Sequence, residues 1–236
     1  MKAPRVLLAA LFIASAGQTL SGDNFGDWTY SVSDSQATIT GYSGVGGSVE
    51  IPAVVNEISV VAVGNGWPPI FGDGNTTVTS VTIPDSVKSI GSNAFSSCTK
   101  LTNVTIADSV TSIGGSAFYF CTSLVSINIP DSVTSIGSNT FYSCTSLTDI
   151  NIPDSVTSIG GYAFDSCTIL TCVTLPATLF VEENYSSYSL SSEQVRVEKT
   201  SIDAFVAKAE TAARKNGQTD VCLLYTSDAA DEEDSV

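Results

Sequence analysis

The sequence predicts a repeat solenoid, mainly β, built as a stack of 23-residue units with a β cap at its N-terminal end and a helix at its C-terminal end. Three observations carry that prediction. Residues 81–172 are four gapless copies of one unit: VTIPDSVKSIGSNAFSSCTKLTN, VTIADSVTSIGGSAFYFCTSLVS, INIPDSVTSIGSNTFYSCTSLTD and INIPDSVTSIGGYAFDSCTILTC. A fixed period of about 20–50 residues marks units that cannot bury an apolar face alone and must stack on their neighbours. Each copy also opens on apolar/polar alternation, with Val104 and Ile106 on one side and Asn103 and Thr105 on the other, which makes it a short strand. Finally, Pro-Asp pairs (Pro84-Asp85, Pro130-Asp131, Pro153-Asp154) end the strand in a turn in three of the four units, and glycines (Gly91, Gly114, Gly137, Gly160) recur in all four, where glycine's backbone freedom is expected to allow a bend that other residues resist.

The elements follow in chain order. Residues 1–16 read as a secretory signal peptide: Lys2 and Arg5 give the positive start, Val6 to Ala14 the apolar run, and Ala14-Ser15-Ala16 the cleavage site. That run is about half of the ~20 residues that span a bilayer, so no membrane span is expected. Residues 23–80 are expected to hold a cap and a degenerate first repeat. FGDWTYSVSD and QATITGY form a capping strand pair in which Trp28 and Tyr30 pack inward. VEIPAVVNEISVVAVG then follows the repeat pattern with a few extra residues before Val60, and Phe71 is a candidate for the slot that Phe95 fills. Trp67, beside Pro68 and Pro69, is expected to shield the edge of this first rung. The competing reading makes it a binding residue, because irregular loops on rigid scaffolds carry such sites.

Residues 81–180 are the regular repeats, including a fifth copy that starts at Val173 and decays after Leu179. The inward set of the first copy is Ile83, Val87, Ile90, Ala94, Phe95, Cys98 and Leu101. Residues 181–221 are expected to cap the stack, with an irregular capping strand and loop in EENYSSYSLSSEQVRVEKT and a helix over 200–216: Thr200 is placed as N-cap, Ile202, Phe205, Val206 and Ala209 share one face, and Gly217 ends it. Residues 222–236 depart from everything before them. Cys222 to Asp231 is what a transposase-library sequencing adapter encodes when translated, so this tail is read as an assembly artefact.

The pattern LxxVxIPxSVxxIGxxAFxxCxxL resembles the BspA-like (Treponema pallidum-type) leucine-rich repeat, closely over residues 81–179 and loosely from Val49 to Gly64. Ala107 departs from its Pro and Thr140 from its Ala. The resemblance implies a secreted or cell-surface protein associated with adhesion to host or matrix proteins and to other cells.

Composition excludes several functions. The formal charge is −15 and only Lys88 and Lys100 lie within the four repeats, so nucleic acid, which needs clustered cations, is not a partner. The acidic balance survives removal of the signal and the tail. There is no histidine, hence neither the commonest general base nor the commonest metal ligand. No phosphate loop or nucleophile–base pair stands out, and the chain is not read as an enzyme.

Two columns of small polar side chains on the exposed strand positions are the candidate ligand-binding surface: Asn103, Ser126 and Asp149 in one, Thr105, Asn128 and Asn151 in the other, with Trp67 as an outlying candidate. The expected partner is an extracellular protein or glycan, held by weak contacts that multivalent display strengthens. Ice binding is a further possibility for such columns, but they mix Ser, Asn, Asp and Thr too irregularly for a lattice match. A purely structural array that self-associates in a surface coat is the alternative.

Cys98, Cys121, Cys144 and Cys167 recur at the repeat period and are read as small buried hydrophobes rather than disulfides. Asp85, Asp108, Asp131 and Asp154 are read as turn residues rather than a Ca²⁺ column. No metal or cofactor is expected. Asn75, Asn103 and Asn184 sit in N-x-S/T sequons, usable for glycosylation in a suitable secretory pathway.

Overall fold

The computed structural model describes residues 20–179, 187–190 and 195–197. The signal segment, Asn184, the helix expected over 200–216 and the tail 222–236 lie outside the described residues. The chain winds as a mainly β solenoid. Its N-terminal cap is a meander of β1 (Leu20–Phe25), β2 (Trp28–Ser33) and β3 (Gln36–Tyr42). The cap therefore has three strands rather than the expected pair. Gly26 (φ 60°) and Asp27 turn the chain where a single strand was expected, pairing Phe25 with Trp28. Trp28, Tyr30, Val32, Ala37 and Ile39 are buried, as the alternation requires.

β3 hands over from antiparallel to parallel pairing at β6 (Ile58–Val63), after β4 (Gly47–Glu50) and β5 (Val54–Val55). The extra residues of the degenerate repeat form a β5–β6 hairpin whose turn residues, Asn56 and Glu57, have φ of 46° and 69°. The first rung is thus a true rung: Val63 pairs with Ile90, and Val49 with Val81.

One wall runs the length of the stack. β6 pairs in parallel with β8 (Ser89–Ile90), then come β10 (Ser112–Ile113), β11 (Ser135–Ile136) and β13 (Ser158–Ile159), each Ile against the next. The opposite wall joins β4 to β7 (Val78–Thr82) and β9 (Asn103–Thr105). It resumes as β12 (Asp149–Asn151), β14 (Cys172–Leu175) and β15 (Val195–Val197). Residues 126–128, the matching strand of the third copy, carry no ladder assignment.

Between the walls the chain turns on a fixed hydrogen-bond scheme. At the Pro-Asp corner the Val87 N–H donates to Pro84 O at 3.0 Å, and Val133 and Val156 repeat the bond to Pro130 and Pro153. Val110 makes it to Ala107 O at 3.1 Å, so the proline is dispensable there. The exposed aspartates occupy these turns. In the segment after each glycine the donors alternate. The N–H groups of Asn93, Phe95 and Ser97 go to Gly115, Ala117 and Tyr119 of the next rung, and those of Ala94, Ser96 and Cys98 go three residues back. The backbone donors of Asn93 to Cys98 are thereby satisfied without helix or strand.

Gly91, Gly114, Gly137 and Gly160 are needed for a different reason than expected. None has a left-handed φ. Their backbones press on the preceding rung, so a Cβ at Gly114 would lie 2.6 Å from Ser92 N and 2.7 Å from Gly91 C. The left-handed residues are instead Asn93, Ser116, Asn139 and Tyr162, and Ser97, Phe120, Ser143 and Ser166, all with φ of 56–60°.

The core is a column. Phe71, Phe95, Phe118, Phe141 and Phe164 stack at centroid distances of 5.9, 5.3, 5.6 and 5.7 Å, and Trp28 and Tyr42 close its first end against Phe71. Phe71 does fill the slot of Phe95. Trp67 does not shield the edge; it is 64% exposed, and Ile70 and Phe71 make the seal. Thr140, in the alanine position, is fully buried because its hydroxyl donates to Gly137 O at 2.7 Å. Beyond Leu179 the sequence pattern fades but the stacking persists. Ser187 O and Tyr188 O accept from Tyr162 N and Phe164 N, and β15 continues the parallel ladder.

Candidate functional site

The strand wall presents the two columns foreseen from the alternation. Asn103, Thr105, Ser126, Asn128, Asp149 and Asn151 are all exposed, while Val104, Ile127 and Ile150 between them are buried. Parallel pairing sets Ser80 beside Asn103 and Thr82 beside Thr105, then Asp149 beside Cys172 and Asn151 beside Thr174. Strand spacing of ~4.7–4.9 Å places these side chains as two rows along a face roughly 20 Å long. Amides and hydroxyls can donate and accept, but the face has no aromatic anchor of the kind that dominates tight protein interfaces. Since the Thr105 side chain is exposed, Thr105→Ala should change unfolding free energy by less than about 0.5 kcal/mol. Urea unfolding of that variant checks its outward assignment.

The structure does not bring Trp67 to these columns: it stands on the loop after β6, before the first regular repeat. Asn75 is half-buried and bonded on both sides. Its amide donates to Phe71 O (3.1 Å) and Thr77 Oγ1 (3.3 Å), and its Oδ1 accepts from Thr77 N and Val78 N. Asn103 is open on the strand face.

Two surfaces escaped the sequence reading. Along the Ser-Ile wall runs an open groove of about 530 Å³, lined by Ser89, Ser112, Ser135 and Ser158 with the glycines that follow. The second is aromatic. Tyr119 and Tyr142, on successive rungs, stack at 4.9 Å, and Phe120 lies against both, at 4.8 Å and 6.0 Å. Phe120 is 40% exposed, and Val125 beside the interrupted ladder is 48% exposed. The other repeats carry Ser at the Phe120 position, and its φ of 57° costs a bulky side chain about 1–2 kcal/mol. The signal in the sequence was a phenylalanine in a serine column, legible only once that column is known to be left-handed.

Cys98, Cys121, Cys144 and Cys167 are free thiols in a buried file. Each of the last three donates its S–H to the phenylalanine carbonyl one rung back: Cys121 to Phe95, Cys144 to Phe118 and Cys167 to Phe141, at 3.0–3.2 Å. Burial pushes the Cys98 thiol up to about 12 and the Cys167 thiol to about 11, and raises Cys121 and Cys144 well above the ordinary value of 9.0. They are packing groups and not nucleophiles. Among the described residues no three His, Cys, Asp or Glu side chains converge on a possible metal site.

The thiols make stability pH-dependent. Above pH 9 the unfolded chain releases thiol protons that the native state keeps, so unfolding becomes easier by up to ~1.4 kcal/mol per pH unit per thiol. Their stabilisation is complete below pH 9 and declines as pH rises toward 11–12. In native protein at pH 8, a thiol reagent should modify Cys172 and spare all four column cysteines until the chain unfolds; fast modification of Cys121 would contradict the packing.

A stack of β rungs with a phenylalanine column inside and polar columns outside defines a leucine-rich-repeat solenoid. The sequence profile of the BspA type leucine rich repeat region matches residues 71–193 in six copies, and the chain belongs to that family. A leucine-rich repeat protein of T. pallidum is 34% identical over 66% of this chain and 72% of its own, with a TM-score of 0.60. A leucine rich cell surface protein of Faecalibacterium prausnitzii is 30% identical over 67% of this chain and 55% of its own, with a TM-score of 0.45. The pneumococcal vaccine antigen PcpA shares the fold at 20% identity and a TM-score of 0.50, over 69% of this chain and 51% of its own. No curated protein matches the chain. No helix among the described residues is long and apolar enough to cross a membrane.

Proposed function

We propose that the chain is a secreted or cell-surface binding module, not an enzyme, that holds an extracellular protein or glycan on its strand wall. The observation that carries this reading is the pair of exposed polar columns, Asn103, Ser126, Asp149 and Thr105, Asn128, Asn151, set out on a scaffold whose interior is fully packed. Side chains on such a scaffold lose little freedom on binding, which lowers the cost of association. The signal-like N-terminus, with Ala14-Ser15-Ala16 after an apolar run, supports export. The face is small beside the ~800 Å² that each partner contributes to a standard interface. Affinity per copy is therefore modest and grows with multivalency.

Capture from matrix proteins and glycans, with the chain displayed singly and in multiple copies on beads, tests the proposal. Saturable retention that strengthens sharply with copy number is expected. Concentration-dependent self-assembly with no partner retained would support the structural-array alternative instead.

A further inference from the structure

We propose that Tyr119, Phe120 and Tyr142, with Asp165 beside them, form a platform for a neutral pyranose-containing glycan. This deepens the reading of the chain as a binding module, on which it rests, and adds a second site on the wall of turns beside the one on the strand wall. Four features converge at this place. Phe120 keeps a bulky ring at a left-handed φ of 57° where Ser97, Ser143 and Ser166 occupy the equivalent positions, and strain of this kind concentrates at binding sites. The ring is not buried for its trouble; it is 40% exposed. Its backbone N–H is tied to Tyr142 O at 2.8 Å, so the three-ring cluster spans two rungs as one rigid surface. Next along the tyrosine column comes Asp165, whose carboxylate is held in place by Ser166 Oγ (2.7 Å) and Ser189 Oγ (3.0 Å).

Partly exposed rings beside a fixed carboxylate suit a sugar. The C–H face of a pyranose packs on aromatic rings, and its hydroxyls donate to the carboxylate and tyrosine oxygens. A protein partner fits less well, because three partly buried rings offer far less than ~800 Å² and the surrounding threonines and serines are spent on the stack: Thr122, Ser123 and Thr145 all donate to backbone carbonyls one rung back. An anionic glycan is disfavoured by the charge of −15 and by the scarcity of cations in the repeats.

The test is a glycan array probed with the whole chain in multivalent display, carrying neutral hexose and N-acetylhexosamine oligosaccharides beside sialylated and sulfated ones. Neutral structures should be retained. Phe120→Ser restores the residue of its column, so it should match the parent or exceed it in thermal stability while binding at least tenfold more weakly; Asp165→Asn should weaken binding without unfolding. The inference is overturned if no neutral glycan is retained, if anionic ones are preferred, or if Phe120→Ser binds as the parent does. Retention of matrix proteins stripped of glycan, with the array blank, overturns this inference alone and leaves the binding-module reading standing.

Discussion

Replacing Phe118 by alanine should destabilise the chain by ~3–5 kcal/mol, the range for emptying an aromatic site in a core that cannot collapse. Phe118 is fully buried, stacked at 5.3 Å on Phe95 and 5.6 Å on Phe141, with planes 14° and 1° apart. Its neighbours cannot close over the gap, because their spacing is set by the continuous Ser-Ile ladder, by the β7–β9 ladder on the Phe95 side, and by the cross-rung bonds from Phe95 N to Ala117 O and from Phe118 N to Thr140 O. The lost ring pairs add about 0.5–1.5 kcal/mol beyond area. Because each rung contacts only its neighbours, damage at the centre of the stack uncouples its two ends. Urea unfolding should therefore show a lower midpoint, and a broader transition too. Phe118→Leu, which keeps most of the volume, should cost less than half as much. Unfolding of Phe118→Ala near that of the parent would contradict the column.

Gly137→Ala should cost about 3 kcal/mol or more, at the upper end for overpacking. Alanine in place of glycine gains ~0.4–1 kcal/mol by restricting the unfolded chain, and φ at this position is not left-handed, so conformation alone would favour the change. Crowding decides the sign. The new Cβ would lie 2.6 Å from Gly115 Cα and 2.7 Å from Gly114 C, both backbone atoms that cannot rotate away. Gly115→Ala is the internal control, since its Cβ would come no nearer than 3.2 Å to Ser138 O and 3.7 Å to Ser138 N. A thermal midpoint that falls steeply in the first variant and little in the second is the expected result.

What could be read from the sequence was whatever the period repeats. Equal spacing forces equal surroundings, so the outward Asn103 and Thr105 followed from alternation, and the inward Ile83, Val87, Phe95 and Leu101 from the apolar positions that every unit repeats. Packing of the cysteines followed in the same way, though not the S–H donation to the carbonyl of the preceding rung. The glycine column was recognised with the wrong cause, because a sequence does not distinguish a residue that needs φ above zero from one whose Cβ has no room. Single departures from the period were the least legible. Phe120 among serines reads as drift until its φ and exposure are known, and Val125 in place of threonine gives no warning that residues 126–128 leave the ladder. Beyond Leu179 a capping strand was expected, but not the bonds to the last full rung, because Ser187 and Tyr188 make them through backbone carbonyls, which no side-chain pattern reports.

The strand wall as binding surface is tested most directly by the retained partner's affinity for the chain and for the double variant Asn128→Ala/Asn151→Ala, both in multivalent display. These side chains are exposed and sit on separate rungs, so the variant should fold as the parent does. A loss of saturable binding of tenfold or more, with Trp67→Ala unchanged, is the predicted result. Undiminished binding by the double variant, or binding lost on removing Trp67, would contradict it.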